Sequence, residues 1–365
     1  MTTIERLDPT AAEVEAYMGL VGGHATFAIN ALLVGLGDQL GLWKALAAAG
    51  PVTVDELADR TELDRRYLRE WLSAMTASGF LGHDPDGGTF TLPPAGVAVL
   101  ADEDSPALFV APFQMLPHMA GQLTALRTGF RAGTGLGWLE RDDEFHDAEE
   151  RFSRPMHRGM LVDVWLASVP GLLDALRAGA RVADVGCGQG RSSVELAKRF
   201  PESTFVGFDI HDHSIARARG LAMADGVADR VTFEVADARS LPDEQFDVVL
   251  MCDSLHDMGD PAAAARRAHE VLRPGGVLVT LDPRAAGDSL AENLADPMAA
   301  TFYAVSCFIC TPAAIAQDGP EALGALAGEA AIKRVLGEAG FAAVVRCAPD
   351  APMNMVIAAT KAEVA

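Results

Sequence analysis

The pattern of apolar and polar positions divides the chain into a helical first part and a second part in which strands alternate with helices. From Thr10 to about Leu46, apolar residues recur at spacings of three and four, which predicts the helices AAEVEAYMGLV and HATFAINALLVGLGDQLGLWKALAAAG, ended by Gly50-Pro51. The second helix is apolar around much of its circumference. We therefore expect it to be buried on several sides, in a subunit interface.

Residues 53–92 show a compact helix, turn, helix and hairpin pattern. The segments TVDELADRT and DRRYLREWLSAMTASGF predict two helices, and FLGHDPDGGTFTL predicts two strands around an Asp-Gly-Gly turn. Thr53 followed by Glu56 is a capping box that marks the start of the first helix. Together these elements predict a winged helix.

After Gly179 the pattern changes to short apolar runs separated by amphipathic segments: RVADVG, STFVGFD, RVTFEVAD, FDVVLM and GVLVTLD. This alternation predicts a Rossmann-like, doubly wound α/β fold with a parallel sheet. The tail FAAVVRCAPDAPMNMVIAAT predicts two adjacent strands with a turn at 350–352 that close one sheet edge. We expect three parts: a winged-helix and dimerisation domain at 1–105, a helical linker at 106–165 that lines a substrate pocket, and a catalytic domain at 166–365.

Composition narrows the class of partner. The net charge is −22, and residues 1–105 hold 6 Lys and Arg against 16 Asp and Glu, so we expect neither nucleic acid nor membrane as a partner, despite Arg65, Arg66 and Arg69 on the second winged-helix helix. The start of the chain lacks the pattern of a signal peptide, and the five scattered cysteines do not form a disulfide framework, which predicts a cytoplasmic protein. A small molecule is the expected partner.

Glycines and acids at predicted strand ends indicate a nucleoside site. Gly186, Gly188 and Gly190 follow a strand and precede a helix, where backbone amides can approach a ligand. Asp209 ends the next strand, 19 residues after Gly190, and is placed to accept the hydroxyl protons of a ribose. Asp237 ends the third strand and can face an adenine amino group. Asp184 precedes the loop and would orient it or meet an ammonium group, and we expect Ala238 and Cys252 in the same cofactor site.

With these motifs, residues 180–360 resemble the class I S-adenosylmethionine-dependent methyltransferases, through VADVGCGQG, FVGFD, VADA and HEVLRPGGVLVTLD. The resemblance implies S-adenosyl-L-methionine as cofactor and a seven-stranded sheet. The winged helix ahead of this domain is similar to small-molecule, caffeate-type O-methyltransferases and their actinobacterial relatives, which implies a homodimer formed through the N-terminal helices. The segment ERFSRPM is similar to one that flanks the cofactor in that family, which implies such roles for Phe152 and Met156.

One histidine is a candidate for the chemistry. MCDSLHDMGD follows the fourth strand directly and places His256 about one turn beyond it, and in the caffeate-type family a His followed by an acid is the general base. The alternative is that His256 only orients the acceptor, as in relatives that methylate carbon or nitrogen. Aromatic and methionine residues offer a flat apolar acceptor pocket, with these candidates: Met115, Met119, Trp138, Phe302 and Tyr303.

Other functions stay open at this stage. Methylation of a hydroxyl oxygen is the preferred reaction, with carbon or nitrogen methylation of a small metabolite as the alternative. A winged-helix regulator that senses S-adenosylmethionine is opposed by the acidic count, and a Rossmann dehydrogenase is opposed by the glycine spacing. Cys307 and Cys310 form a single pair with no histidine close in sequence, so we expect packing there and no metal site.

Overall fold

The computed structural model describes residues 8–349, 351 and 353–363, and these fall into two compact units that divide between residues 117 and 118. The boundary lies inside the segment 106–165 that was expected to be a linker, so this segment contributes to both units. The predicted turn at 350–352 lies outside the described residues except for Ala351.

The N-terminal unit begins with one long helix where two were predicted. Helix α1 (Ala11–Gln39) starts at a Thr10 capping box and continues through the middle of the segment, and Gly41, with a φ of 70°, separates it from α2 (Leu42–Ala49). Most of the apolar side chains of α1 are exposed, among them Phe27 at 74 %. In the described part of the chain, α1 is the one helix long and apolar enough to cross a membrane, but an interface helix has the same length and composition.

The winged helix has the predicted elements. They are α3 (Val54–Thr61), α4 (Arg65–Ala77), β1 (Gly82–Asp84), β2 (Thr89–Thr91) and α5 (Pro94–Leu100). Thr53 and Glu56 form the predicted capping box at the start of α3. The core of the unit is organised around two tryptophans whose ring centroids lie 4.9 Å apart, Trp43 and Trp71, and whose indole N–H groups donate to α1 carbonyls.

Along the chain, four helices follow the winged helix and precede the first strand of the sheet: α6 (Ala111–Gly121), α7 (Leu123–Ala132), α8 (Asp143–Gly159) and α9 (Leu172–Ala178). A π-helical turn lies at Leu161–Trp165. The remaining helices are α10 (Arg191–Arg199), α11 (Asp212–Ala224), α12 (Pro261–Val271), α13 (Leu290–Asn293), α14 (Ala299–Phe308), α15 (Cys310–Ile315) and α16 (Gly328–Glu338). Single turns of 3-10 helix lie at Trp138–Glu140, Leu166–Ser168, Ala238–Ser240 and Leu255–Asp257.

The predicted seven-stranded sheet is confirmed. Its strands are β3 (Arg181–Val185), β4 (Thr204–Asp209), β5 (Val231–Val235), β6 (Phe246–Cys252), β7 (Leu272–Pro283), β8 (Ala343–Cys347) and β9 (Asn354–Thr360), in the order β5-β4-β3-β6-β7-β9-β8. Strands β3 to β7 are parallel and β9 is antiparallel to both of its neighbours. Since Val182 and Ala183 belong to two different apolar clusters, the sheet is covered on both faces. The order reverses between β3 and β6, where a doubly wound sheet forms its ligand crevice.

Candidate functional site

The loop after β3 has a left-handed backbone at three alternate positions. Gly186, Gly188 and Gly190 have φ values of 73°, 52° and 77°, a region that L side chains rarely adopt. A Cβ atom on Gly186 would lie 2.5 Å from Ser254 Cβ, and one on Gly190 would lie 2.5 Å from Phe233 Cζ. A Cβ atom on Gly188 would meet nothing within 4 Å, and Gly188 lines a pocket. The outer two glycines therefore serve packing of the loop, and the middle one is open to a ligand.

Asp209 at the end of β4 connects this loop to the next strand. Its Oδ2 accepts the Gly188 N–H at 2.9 Å, and its Oδ1 accepts the His211 N–H at 2.9 Å. Burial raises the pKa of this carboxyl, and the two backbone hydrogen bonds oppose that shift. Asp209 also lines the pocket, so a carboxylate is fixed beside the open backbone of Gly188.

Asp184 lies on the inner side of the loop, which fits the first of its two expected roles. It is fully buried and accepts the hydroxyl protons of Ser192 at 2.5 Å and Ser193 at 2.7 Å, at the start of α10. It does not line the pocket. Asp184 therefore holds the loop to the helix that follows, in line with the orienting role, and does not reach a ligand.

The end of β5 contributes one further wall of the pocket. Asp237 accepts the Arg239 N–H at 2.8 Å and forms an ion pair with the Arg239 guanidinium at 2.6 Å, which lowers the pKa of this carboxyl. Asp237, Ala238 and Cys252 all line the pocket, as do Gly186 and Gly188, whereas Gly190 lies behind its wall.

Helix α8 presents one polar face to the same pocket. His146, Glu149, Glu150, Ser153 and His157 line it, at spacings of three and four along the helix. Phe152 and Met156, which the family resemblance implied to be cofactor neighbours, are not among the lining residues. The helix therefore turns the polar side toward the pocket, and Met156 packs against the apolar core.

Charge on the pocket wall is strongly negative. Seven carboxyl groups line it against two guanidinium groups, Arg191 and Arg239. Both guanidiniums are paired with wall carboxylates, since Arg191 Nε lies 2.8 Å from Glu150 Oε1. Desolvation and the nearby carboxylates of Asp257, Asp253 and Asp209 raise the pKa of Glu149 to about 8. Such a wall favours a cationic ligand and opposes a pyrophosphate.

His256 lies in a buried cluster beside this pocket. The single turn Leu255–Asp257 holds it, as predicted, just beyond the end of β6. Its Nδ1 lies 3.0 Å from Asp282 Oδ1 and its Nε2 lies 3.3 Å from Asp257 Oδ1. Burial alone would lower the pKa of the imidazole, but Asp257, Asp282 and Cys310 outweigh it and raise that pKa well above its usual range. Asp257 and Met258 line the pocket, whereas His256 does not, so the imidazole lies behind the wall.

The substrate candidates do not come together as a set. Trp138 lines the pocket, while Met119, Phe302 and Tyr303 belong to the same unit without lining it, and Met115 is buried in the N-terminal unit. The hydroxyl group of Tyr303 instead accepts a hydrogen bond from Asn293.

Several residues of the site are absent from the sequence-based prediction. The polar face of α8 could have been found from its helical spacing. Asp253 directly follows β6, lines the pocket and has a φ of 56°, which is strained for a residue other than glycine. Asp282 and Cys310 are far from His256 in sequence, and no local pattern connects them.

Comparison with known proteins identifies both parts of the chain. The family described as "Methyltransferase domain" matches residues 176–340, and the "Rv2258c-like winged HTH domain" matches residues 28–102. The 27-O-demethylrifamycin SV methyltransferase of Amycolatopsis mediterranei is 39 % identical over 143 residues, which are 39 % of this chain and 48 % of that protein. The chain thus spans about half the length of the curated relative that it matches there. An O-methyltransferase of Aspergillus nomiae is 32 % identical over 170 residues, 45 % of this chain and 69 % of that protein.

Solved structures share the fold. Human N-acetylserotonin methyltransferase, solved in complex with SAM, has a TM-score of 0.71 over 98 % of this chain and 100 % of that one, at 16 % sequence identity. At that identity the similarity concerns the fold alone.

Proposed function

Because the chain belongs to the S-adenosylmethionine-dependent methyltransferases and carries an Rv2258c-like winged-helix domain, we propose that it methylates a small-molecule acceptor, at a hydroxyl oxygen. The observation that carries this proposal is the arrangement of Gly188 and Asp209 at the switch point of the sheet, beside a pocket with a negative wall. Two O-methyltransferases among the relatives support oxygen as the acceptor atom.

The pocket fits the cofactor chemically. Gly188 leaves open the space that a Cβ atom would fill, and Asp209 offers carboxylate oxygens that suit ribose hydroxyl groups. Asp237 and Ala238 would border the adenine, and the Asp253 carboxylate on the pocket wall suits the positive charge of a sulfonium. The cofactor supplies an activated methyl group when bound, and the protein supplies orientation.

The proton of the acceptor hydroxyl needs a base, and two residues compete for that role. His256 was the expected base, but it lies behind the wall and its pKa is raised well above the usual range by Asp257, Asp282 and Cys310, which supports an orienting role through Asp257. Asp253 lines the pocket, and desolvation together with Asp257 and Asp282 raises the pKa of its carboxyl to about 6, against an opposing effect of His256. A carboxylate with that pKa accepts protons well near neutral pH. We therefore propose Asp253 as the base and His256 as a positioning residue.

A pair of variants separates these roles. Asp253→Asn should reduce kcat by about 100-fold, the typical contribution of general base catalysis, and remove the acid limb of the pH-rate profile. His256→Asn should lower kcat while it retains that limb near pH 6. If His256→Asn loses the limb and Asp253→Asn keeps it, His256 is the base.

Carbon or nitrogen methylation is the alternative within the same family, and a screen of phenols, amines and activated carbon acids with labelled cofactor distinguishes them. The regulator alternative has less support, since Arg65 lies 3.0 Å from Asp55 and is also paired with Asp59, and Arg66 is paired with Glu70. These pairs reduce the positive charge available to phosphate on α4.

The test of the proposed function is titration calorimetry with S-adenosylmethionine, S-adenosylhomocysteine and NAD. We expect binding of both sulfur nucleosides and none of NAD, since the wall repels pyrophosphate. Binding of NAD alone would contradict the proposal.

We also propose that α1 forms a homodimer interface, on the basis of its exposed apolar side chains, including Tyr17, Phe27 and Ile29. In light scattering, Phe27→Asp should convert the dimer to a monomer. Tyr67→Asp changes an exposed aromatic residue of α4 and should leave the dimer intact. A wild-type monomer would rule out this interface.

A further inference from the structure

We propose that His256, Asp257 and Cys310 form a binding site for a divalent metal ion of the zinc type. One nitrogen, one carboxylate oxygen and one sulfur, one from each residue, all lie within 4.8 Å of one another. The three residues are 3 %, 7 % and 4 % exposed. Nitrogen, oxygen and thiolate ligands in a small buried group are the set that Zn²⁺ prefers, and three protein ligands are the number found in catalytic zinc sites.

The histidine is oriented as a metal ligand. Its Nδ1 lies 3.0 Å from Asp282 Oδ1, and its backbone N–H donates to the same oxygen at 3.3 Å. A carboxylate on the Nδ1 side holds that proton and orients the ring, so an incoming metal ion that displaces the Nε2 proton would find the Nε2 lone pair directed at it, which is the usual arrangement behind zinc-bound histidines. Asp282 is itself almost fully buried, so this support is rigid.

One buried carboxylate oxygen of Asp257 lacks a hydrogen bond and has an ion pair with His256. Asp257 Oδ1 makes no hydrogen bond, although His256 Nε2 lies only 3.3 Å away. Buried carboxylate oxygens without a partner are rare, because their desolvation is not compensated. A metal ion shared with His256 and Cys310 would supply the missing partner.

The surrounding charges allow a divalent ion. Arg141 is buried, and its Nη2 donates to the carbonyl oxygens of Phe308 and Ile309, directly before Cys310. The two carboxylates of Asp257 and Asp282, one thiolate, the Arg141 guanidinium and a divalent ion sum to zero charge. These five charges therefore compensate one another when the metal is bound.

The site borders the pocket, because Asp257 lines it. The fourth position of the metal would be open to water or to an oxygen of the acceptor. Metal binding is measured without cofactor or acceptor, so it stands or fails separately from the proposed methyl transfer.

The experiment titrates the chelator-treated full chain with Co²⁺ and then displaces it with Zn²⁺. We expect one ion per chain, with the near-ultraviolet thiolate-to-cobalt band and the visible bands of tetrahedral cobalt. Cys310→Ser should remove the thiolate band. Cys307→Ser is the matched control, since Cys307 is exposed three residues earlier, and it should bind as the wild type does. Asp282→Asn should retain the band while it weakens the affinity by about 10- to 100-fold.

Absence of a thiolate band in the wild type would overturn the proposal, as would a band that persists in Cys310→Ser or is lost equally in Cys307→Ser. Circular dichroism and the melting temperature of each metal-free variant show that it is folded, so loss of binding is not mistaken for loss of structure.

Discussion

The cradle of Gly188 and Asp209 and the cluster of His256, Asp257 and Cys310 lie in the same unit, yet different interactions hold them in place. The cradle consists of backbone N–H groups and one carboxylate at the ends of two adjacent parallel strands, β3 and β4. The cluster collects side chains from a turn after β6, the end of β7 and the start of α15. Backbone and strand order fix the first, whereas only side-chain packing fixes the second.

The largest expected effect is on the cradle. Asp209→Ala removes the acceptor of the Gly188 and His211 N–H groups and the proposed ribose ligand. Because hydrogen bonds to a charged group contribute about 1.5 to 3 kcal/mol each, we expect S-adenosylmethionine affinity to fall roughly 100-fold or more in calorimetry. Asp212→Ala, at the exposed start of α11, is the control. Undiminished affinity in Asp209→Ala would remove the ribose assignment.

Two histidines give a second test, since the pKa of His256 is raised whereas that of His146, on the cradle side, is lowered. Burial and the nearby His211 lower the pKa of His146 to about 4. An unfolded histidine titrates near 6.5, so protonation favours the unfolded chain as the pH falls from 6.5 to 4, and stability declines over that range. The free energy of unfolding is measured with urea at pH 7 and at pH 4.5. We expect its decrease between these two pH values to be smaller in His146→Gln than in the wild type, by up to about 3 kcal/mol.

His83→Gln, at an exposed position in the wing, should show the wild-type slope. Equal slopes in all three proteins would mean that His146 is not desolvated in solution. His157, whose pKa is also lowered to about 4 by burial, accounts for part of the decline that remains.

A third test compares two glycines of the loop. Gly190→Ala places a Cβ atom against Phe233 and Ala218 in a left-handed conformation, so we expect a loss of about 2 kcal/mol of stability. Gly188→Ala meets no atom within 4 Å and should cost about 1 kcal/mol of stability, but it should weaken cofactor binding. Thermal unfolding measures the stability of both variants, and calorimetry measures their cofactor affinity. A Gly190→Ala variant that is more stable than Gly188→Ala would contradict this division.

The smallest effect concerns the support of the loop. Ser193→Ala removes one of the two hydroxyl groups bound to buried Asp184, and we expect a loss of about 1 kcal/mol in urea unfolding, with cofactor affinity unchanged. Ser73→Ala, at an exposed position on α4 away from the pocket, is a control for loss of a hydroxyl group. A Ser193→Ala variant that binds the cofactor poorly but unfolds normally would place Asp184 in direct contact with the ligand.

The sequence by itself determined the sheet, the winged helix and the cradle, because alternating periodicity, capping residues and glycines at strand ends are local signals. It placed Asp209, Asp237 and Gly188 at the pocket. It divided α1 incorrectly, because Gly22 and Gly23 keep a helical backbone and the chain first leaves the helix near Gly41, which has a left-handed φ of 70°. The polar face of α8 could have been predicted from the same helical periodicity.

Only the tertiary structure decided how the remaining site residues are oriented and which residues they contact. Asp184 is directed toward α10, where it binds two serine hydroxyl groups. Phe152 and Met156 do not line the pocket, because the packing of α8 against its neighbours determines which face of the helix reaches the pocket. His256 lies 26 residues from Asp282 in the chain and further still from Cys310, and only the packing of α15 beside the turn after β6 brings them together. The charge of an imidazole and the capacity to bind a metal depend on such long-range contacts, which no local pattern in the sequence encodes.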